Sequence, residues 1–162
     1  MTLQLDLAEI LRYMRMGRGT PSPELLARIN ELLREAPLRP KTAWRREGNR
    51  VWMCGTLGTA FDAWHRRVSV LSAADALIAQ AIGTDGIEKT MDAIEDEVRP
   101  TLAPGERLLM RRSPGYGTIP LELSRDILAK LDATKKLGIT LTDSFLLVPS
   151  KSVTAFADIE RS

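Results

Sequence analysis

Apolar positions along the chain recur with two periods, and the changes of period mark its elements. Leu7, Ile10, Leu11 and Met14 share one helical face, behind Asp6 and Glu9 in the spacing of a capping box whose acid replaces the usual serine. Gly17 and Gly19 are expected to close that helix. Ser22 and Pro23 supply a cap and a first helical position, and Leu25, Leu26, Ile29, Leu32 and Leu33 form the stripe of a second helix that ends at Pro37 and Pro40. The segments 42–46 and 50–54 flank Gly48-Asn49 and predict a tight hairpin. A turn over 55–58 leads into a helix over 59–68. Ser72 and Asp75 open a long helical run to Val98, in which Gly83 and Gly86 are the positions expected to break or bend it, with Pro100 and Pro104 beyond its end.

The second half continues with a strand over 108–112, a loop over 113–117 and a helix over 121–136 that finishes on Lys135, Lys136 and Gly138. The segments 144–148 and 153–157, separated by 149–152, predict a second hairpin. Together these elements predict an α+β fold, with helices packed on a small twisted, mainly antiparallel sheet. One domain over 1–162 is expected, with a helical part over 1–40 and an α+β core over 41–162.

Composition removes function classes. A hydrophobic content of 44% with 27% charged residues is enough for a buried core. The 23 basic and 21 acidic residues leave a net charge of +2, too balanced to mark a polyanion binder. The basic pairs Arg45-Arg46, Arg66-Arg67, Arg111-Arg112 and Lys135-Lys136 are scattered without interleaved aromatics, so nucleic acid is not an expected partner. One cysteine excludes an internal disulfide, and one histidine excludes the usual His/Cys zinc clusters. No apolar run reaches a membrane span and the first residues carry no basic leader region, so no membrane association is expected and the cytoplasm is the expected location.

Most candidate motifs read as structure. Gly55-Thr-Leu-Gly58 lacks the Gly-Lys-Ser/Thr of a phosphate loop and the third glycine of a dinucleotide fingerprint. Cys54, after Val51, Trp52 and Met53, reads as a buried small hydrophobe, and His65 beside Arg66 and Arg67 as part of a solvated helix face. Glu88, Asp92, Glu95 and Asp96 share a helix face, a pattern that is ordinarily solvated. The loop Arg111–Pro120 is different. Its glycines allow close backbone approach, its tyrosine offers a flat ring with a hydroxyl, and its arginines offer planar forks for a carboxylate. Those parts suit a small zwitterion bearing an aromatic ring; a purely structural Pro-Gly turn is the equal alternative on the residues alone.

Arg111-x-Ser-Pro-Gly-Tyr-Gly followed by Pro120-Leu-Glu122 resembles the signature of the activation (reactivation) domain of cobalamin-dependent methionine synthase. Leu131-Asp-Ala-Thr, the stretch Leu137–Phe145 and Val148-Pro-Ser-Lys-Ser-Val153 follow the same family pattern in order. The likeness is strongest from Met110 to Asp158, weaker over Val51–Val98 and faint before Lys41. The resemblance implies a C-shaped α+β domain that binds S-adenosylmethionine and helps to rescue cobalamin oxidised to cobalt(II). In that family a one-electron donor, typically flavodoxin, reduces the cobalt, and the S-adenosylmethionine methyl group traps the reduced form.

Carried over residue by residue, the resemblance implies that Arg111 meets the methionyl carboxylate and that Ser113, Pro114 and Gly115 offer backbone contacts. It places Tyr116 near the ligand and Glu88 opposite its ammonium. Arg112 aligns with a variable position. The stretch from Glu97 to Arg111 is short against the long form of the domain, and no N-terminal acidic ligand is identified, so part of the pocket is expected to be open or rebuilt. His65 lacks the Asp-x-His-x-x-Gly context of a cobalamin carrier, so cobalamin is expected from a partner, a cobalamin-binding methionine synthase or another corrinoid protein. The implied function is an accessory subunit, inactive alone, that supports reductive methylation. The alternative is a non-catalytic S-adenosylmethionine-sensing or docking module for a corrinoid methyltransferase.

Overall fold

The computed structural model describes residues 1–16 and 19–162. Helices α1 (Leu7–Tyr13) and α2 (Pro23–Glu35) precede the hairpin of β1 (Lys41–Glu47) and β2 (Arg50–Thr56). Helices α3 (Thr59–Leu71) and α4 (Ala73–Val98) follow, with a single 3₁₀ turn at Arg99–Thr101, then β3 (Glu106–Leu108). The chain ends its ordered elements with α5 (Leu123–Leu131), α6 (Ala133–Leu137), β4 (Thr140–Leu141), β5 (Leu147–Val148) and β6 (Ser152–Arg161). The main sheet has the order β1-β2-β6-β3 and is antiparallel throughout, and β4 and β5 form a separate two-stranded ribbon. The α+β architecture is the one expected from the sequence.

The sheet is covered on both faces, and strand alternation sorts its side chains between them. Val51, Met53, Ala155, Ala157 and Ile159 pack with Met91, Ile94 and Val98 of α4. Trp52, Cys54 and Phe156 point the other way, onto Ile127, Leu128 and Leu131 of α5. Burial pushes the Cys54 thiol up to about 12, which makes it an inert core group. A further helical layer joins Ile10, Ile29, Leu32, Phe61 and Trp64 to Ile78 and Ile82.

Local signals placed the helix starts correctly, with one exchange of partners. Ser22 and Ser72 cap α2 and α4 by accepting from Leu25 and Asp75 at 3.1 Å each. Asp6 caps α1, but Glu9 does not close a capping box. The Asp6 amide donates instead to Asp85 of α4 at 2.9 Å, while Glu9 pairs with Arg12. Asp85 is 1% exposed, and burial raises its carboxyl above the usual range. Of the glycines expected to end α1, Gly17 lies outside the described residues, and the helix already stops at Tyr13, before Gly19.

Four further expectations are corrected. Helix α4 runs unbroken through Gly83 and Gly86. These glycines serve close packing, because a Cβ on Gly83 would lie 2.6 Å from the Phe61 ring and one on Gly86 would lie 3.1 Å from Leu57 Cδ1. The helix expected over 121–136 breaks at Asp132, which adopts φ 50°. A continuous helix would align Lys135 with Ile127 and Leu131 on the buried face; the break turns Ala133 inward instead. The segment 144–148 does not pair with 153–157. Phe145 sits at φ 62° in a turn closed by Thr142 and Leu146, and only Leu147–Val148 is strand, paired with Thr140–Leu141. β6 instead takes the centre of the sheet, where a strand apolar on both faces belongs.

The last correction matters most for the site. The strand expected over 108–112 is regular only through Leu108, opposite Ile159. Pairing resumes with Arg112 opposite Phe156. The stretch between them holds one residue more on the β3 side than on β6, which is a bulge at Met110–Arg111.

Candidate functional site

Beyond Arg112 the chain leaves β6, and a cleft of about 860 Å³ opens there. Arg112 and Phe156 exchange both backbone hydrogen bonds, at 2.8 and 2.9 Å. Alternation then turns the backbone groups of Thr154 and Ser152 toward the same unoccupied edge of β6, so the cleft is bounded by an open strand edge. Its floor carries hydroxyls. Ser124 and Thr154 are buried and bonded to each other at 3.0 Å, and Ser152 donates to Thr56 at 2.8 Å. Its walls are apolar at Ile119, Leu121, Phe145 and Leu147.

Five of the six residues singled out in the sequence line this cleft: Glu88, Arg111, Ser113, Pro114 and Tyr116. Gly115 is not among the lining residues. It shapes the loop, with φ 89° and an amide donated to Ile119 at 3.0 Å. A Cβ there would also approach Leu121 Cδ1 to 3.0 Å. Tyr116 stands at the rim, 74% exposed.

Strand alternation sends the neighbouring arginines to opposite faces, and the bulge decides which goes where. Arg111 turns toward α4, where its guanidinium donates to Glu88 at 2.7 Å and Asp92 at 2.8 Å and lies 3.3 Å from Glu95. Burial pushes the Arg111 pKa down, but the hydrogen bond to Asp92 and the charges of Glu95 and Glu88 outweigh it and hold the group above its ordinary value. The acidic stripe of α4 is therefore a receptor for Arg111 and not merely a solvated face. A smaller hollow of about 420 Å³ lies beside it, sharing Glu88 and Arg111 with the cleft.

Arg112 turns the other way. Its guanidinium lies 4.8 Å over the Phe156 ring and donates to Asp158 at 2.7 Å. Asp158 also accepts from Arg50 at 2.6 Å, and that bond, with the nearby guanidinium charges, holds its carboxyl below the usual range. Arg112 lines the cleft, as do Ser124, Ser152 and Thr154. Sequence reasoning missed all four. The hydroxyls at alternate positions of an otherwise apolar strand were the available signal; for Arg112 there was none, since the bulge decides which arginine faces which way.

The fold thus defines an α+β class in which helices clothe both faces of an antiparallel sheet and a ligand-sized cleft opens where an edge strand departs. A crystal structure of the MetH reactivation domain bound to AdoHcy shares this fold, with a TM-score of 0.67 and 15% identity, over 83% of this chain and 64% of that one. At that identity the relation is one of fold, and this chain spans about two thirds of the length of the solved domain at most. No family model and no curated protein matches the chain. No helix among the described residues is long and apolar enough to cross a membrane.

Proposed function

We propose that the chain binds S-adenosylmethionine in the cleft beside β6 and serves as an accessory subunit in reactivating cobalamin on a methionine synthase or related corrinoid protein. The supporting observation is that the Arg111–Tyr116 segment and Glu88 meet at one cleft, in a fold shared with a reactivation domain bound to AdoHcy. The cleft has the size of a small-molecule site, roughly 300–1,000 Å³. Tyr116, Phe145 and Ile119 offer flat and apolar surface to a purine, and the hydroxyls and open strand edge offer donors and acceptors. The carboxylate of Glu88 suits a ligand carrying an ammonium and a sulfonium. The corrinoid, brought by the partner and reduced by a flavodoxin-like one-electron donor, would supply the nucleophile that accepts the methyl group. This chain's residues do no covalent chemistry in that scheme; they bind and orient the methyl donor.

Calorimetry of the purified chain tests the binding. Saturable binding of S-adenosylmethionine is expected, weakened in Tyr116→Ala with an unchanged melting temperature. No binding by the parent chain, alone or with the corrinoid partner, sinks the reading. A docking or sensing module is the second reading, motivated by the exposed Met110 and Leu146 near the cleft. Partner binding that ignores S-adenosylmethionine would favour it.

A further inference from the structure

We infer that β1 is a docking edge for a second copy of this chain, the two β1 strands pairing antiparallel about a two-fold axis at Trp44 so that the main sheets join into one. The cleft opens along β6 with β2 between it and β1, so this interface leaves both clefts uncovered and is independent of the S-adenosyl reading.

β1 ends one side of the main sheet, with no strand beyond it. Every residue of β1 keeps some exposure, whereas β2 beside it is buried from Val51 to Thr56. The two-residue turn makes Glu47 and Arg50 a hydrogen-bonded pair, so Lys41, Ala43, Arg45 and Glu47 bond their backbone groups to β2. Thr42, Trp44 and Arg46 direct N–H and C=O groups outward, and no backbone hydrogen bond among the described residues meets them. Such a row is a template for a further strand, and charge is the usual protection against one. Here that charge is largely answered inside the chain. Arg45 pairs with Glu47, and Arg46 with Glu106 at 2.9 Å. Among the described residues, Lys41 is the charged side chain of β1 left without an ion pair.

Charge also selects the register. Hydrogen bonding requires Thr42, Trp44 and Arg46 to face one another across the two copies. Trp44 opposite Thr42 would set Lys41 against Arg45 of the second copy. Trp44 opposite Arg46 would set Arg45 against Arg45. Trp44 opposite Trp44 pairs all 7 residues of the strand, sets Lys41 against Glu47, and opposes no like charges. Glu47 already accepts from Arg45, Lys130 and the Trp52 indole, and a carboxylate offers about four acceptor sites, so one remains for Lys41. At the axis the two Trp44 rings meet on the face that carries α4. Each is held by its indole N–H donating to Glu97 at 3.0 Å, an aromatic anchor set before contact.

Sedimentation velocity of the full chain over a concentration series tests the pairing. A mass rising toward twice 18.0 kDa is expected. Amide exchange by NMR locates the contact: Thr42, Trp44 and Arg46 should gain protection with concentration, while Ala43, Arg45 and Glu47 should not change. Thr42→Pro removes an outward N–H from each copy and spares the bonds to β2, so at an unchanged melting temperature it should weaken association by roughly tenfold to a hundredfold. Lys41→Glu leaves the backbone alone, sets a like charge against Glu47 and should weaken association about threefold to tenfold. A chain that stays at 18.0 kDa into the millimolar range overturns the inference, as does a dimer in which the amides of Thr42, Trp44 and Arg46 gain no protection. A dimer that Lys41→Glu leaves unchanged or strengthens overturns the register.

Discussion

Where α3 crosses α4, the molecule is hydrocarbon packed to contact: Phe61 is fully buried, and Gly83 leaves no room for even a methyl group. Further along the same helix, Glu88 faces a cleft with a hydroxyl floor, an open strand edge and ion pairs at both ends. One helix thus supports a region whose contacts are spent on stability and a region whose polar groups remain available. Substitutions in the first should be read in folding free energy and leave ligand selectivity alone. Substitutions in the second should change ligand binding, and where they break a polar pair already made they should cost stability by a smaller amount.

The strongest test of that contrast is the crossing itself. Phe61→Ala should cost ~3–5 kcal/mol in urea unfolding, as expected for emptying a fully buried aromatic site. Gly83→Ala should cost less, because overpacking of ~1–3 kcal/mol is offset by a helix-propensity gain of ~1 kcal/mol. Combining it with Phe61→Leu should recover part of the loss. A stabilising Gly83→Ala would show that the crossing yields and is not close-packed.

A smaller effect is expected on the cleft floor. Thr154→Val leaves the buried Ser124 hydroxyl without its partner and should cost ~1–2 kcal/mol, while Thr154→Val with Ser124→Ala should be closer to neutral. Additive losses in that double-mutant cycle would mean that the two hydroxyls do not depend on each other.

The smallest expected effect is the share of the pH dependence that belongs to the cleft end, since Glu47 and Glu106 are also held down, to about 2, by their basic partners. Asp158 is held below its ordinary value by the hydrogen bond from Arg50, so its folded-state pKa is the lower one. Its contribution to stability is fully present above about pH 4 and is lost as pH falls through the lowered value. Asp158→Asn should flatten the acid limb of the unfolding free energy, and Gly83→Ala should leave that slope unchanged. An unaltered acid limb in Asp158→Asn would remove the carboxylate from the charge balance at Arg112.

What the sequence showed and what it hid follow the range of the interactions. Ser22-Pro23, Ser72 and Gly48-Asn49 act on their own neighbours, and the helices and hairpin they announce are present. Gly83 looked like a weak point because its partner, Phe61, lies in another helix. The break at Asp132 has no glycine or proline to mark it and follows from which side chains the sheet can bury. β6 could not be placed from its sequence neighbours because its partners β2 and β3 lie far upstream. In the candidate site, Glu88 and the Arg111–Tyr116 segment were legible as residue types in a motif. Which of Arg111 and Arg112 faces α4 was not, since it depends on a bulge against a strand that only the folded sheet supplies.

The central position of β6 also governs how the chain can assemble. The Arg50–Asp158 pair joins positions 108 residues apart, and β2 has no neighbour on that side until β6 arrives. Helices α3 and α4, adjacent in sequence, can pair early, but the sheet must wait for a long loop to close, which slows folding and prolongs exposure of apolar strand surface. A nascent chain that has not yet emerged past Ser152 therefore presents β2 as an unpaired edge, the state in which chaperone capture or aggregation would compete with folding.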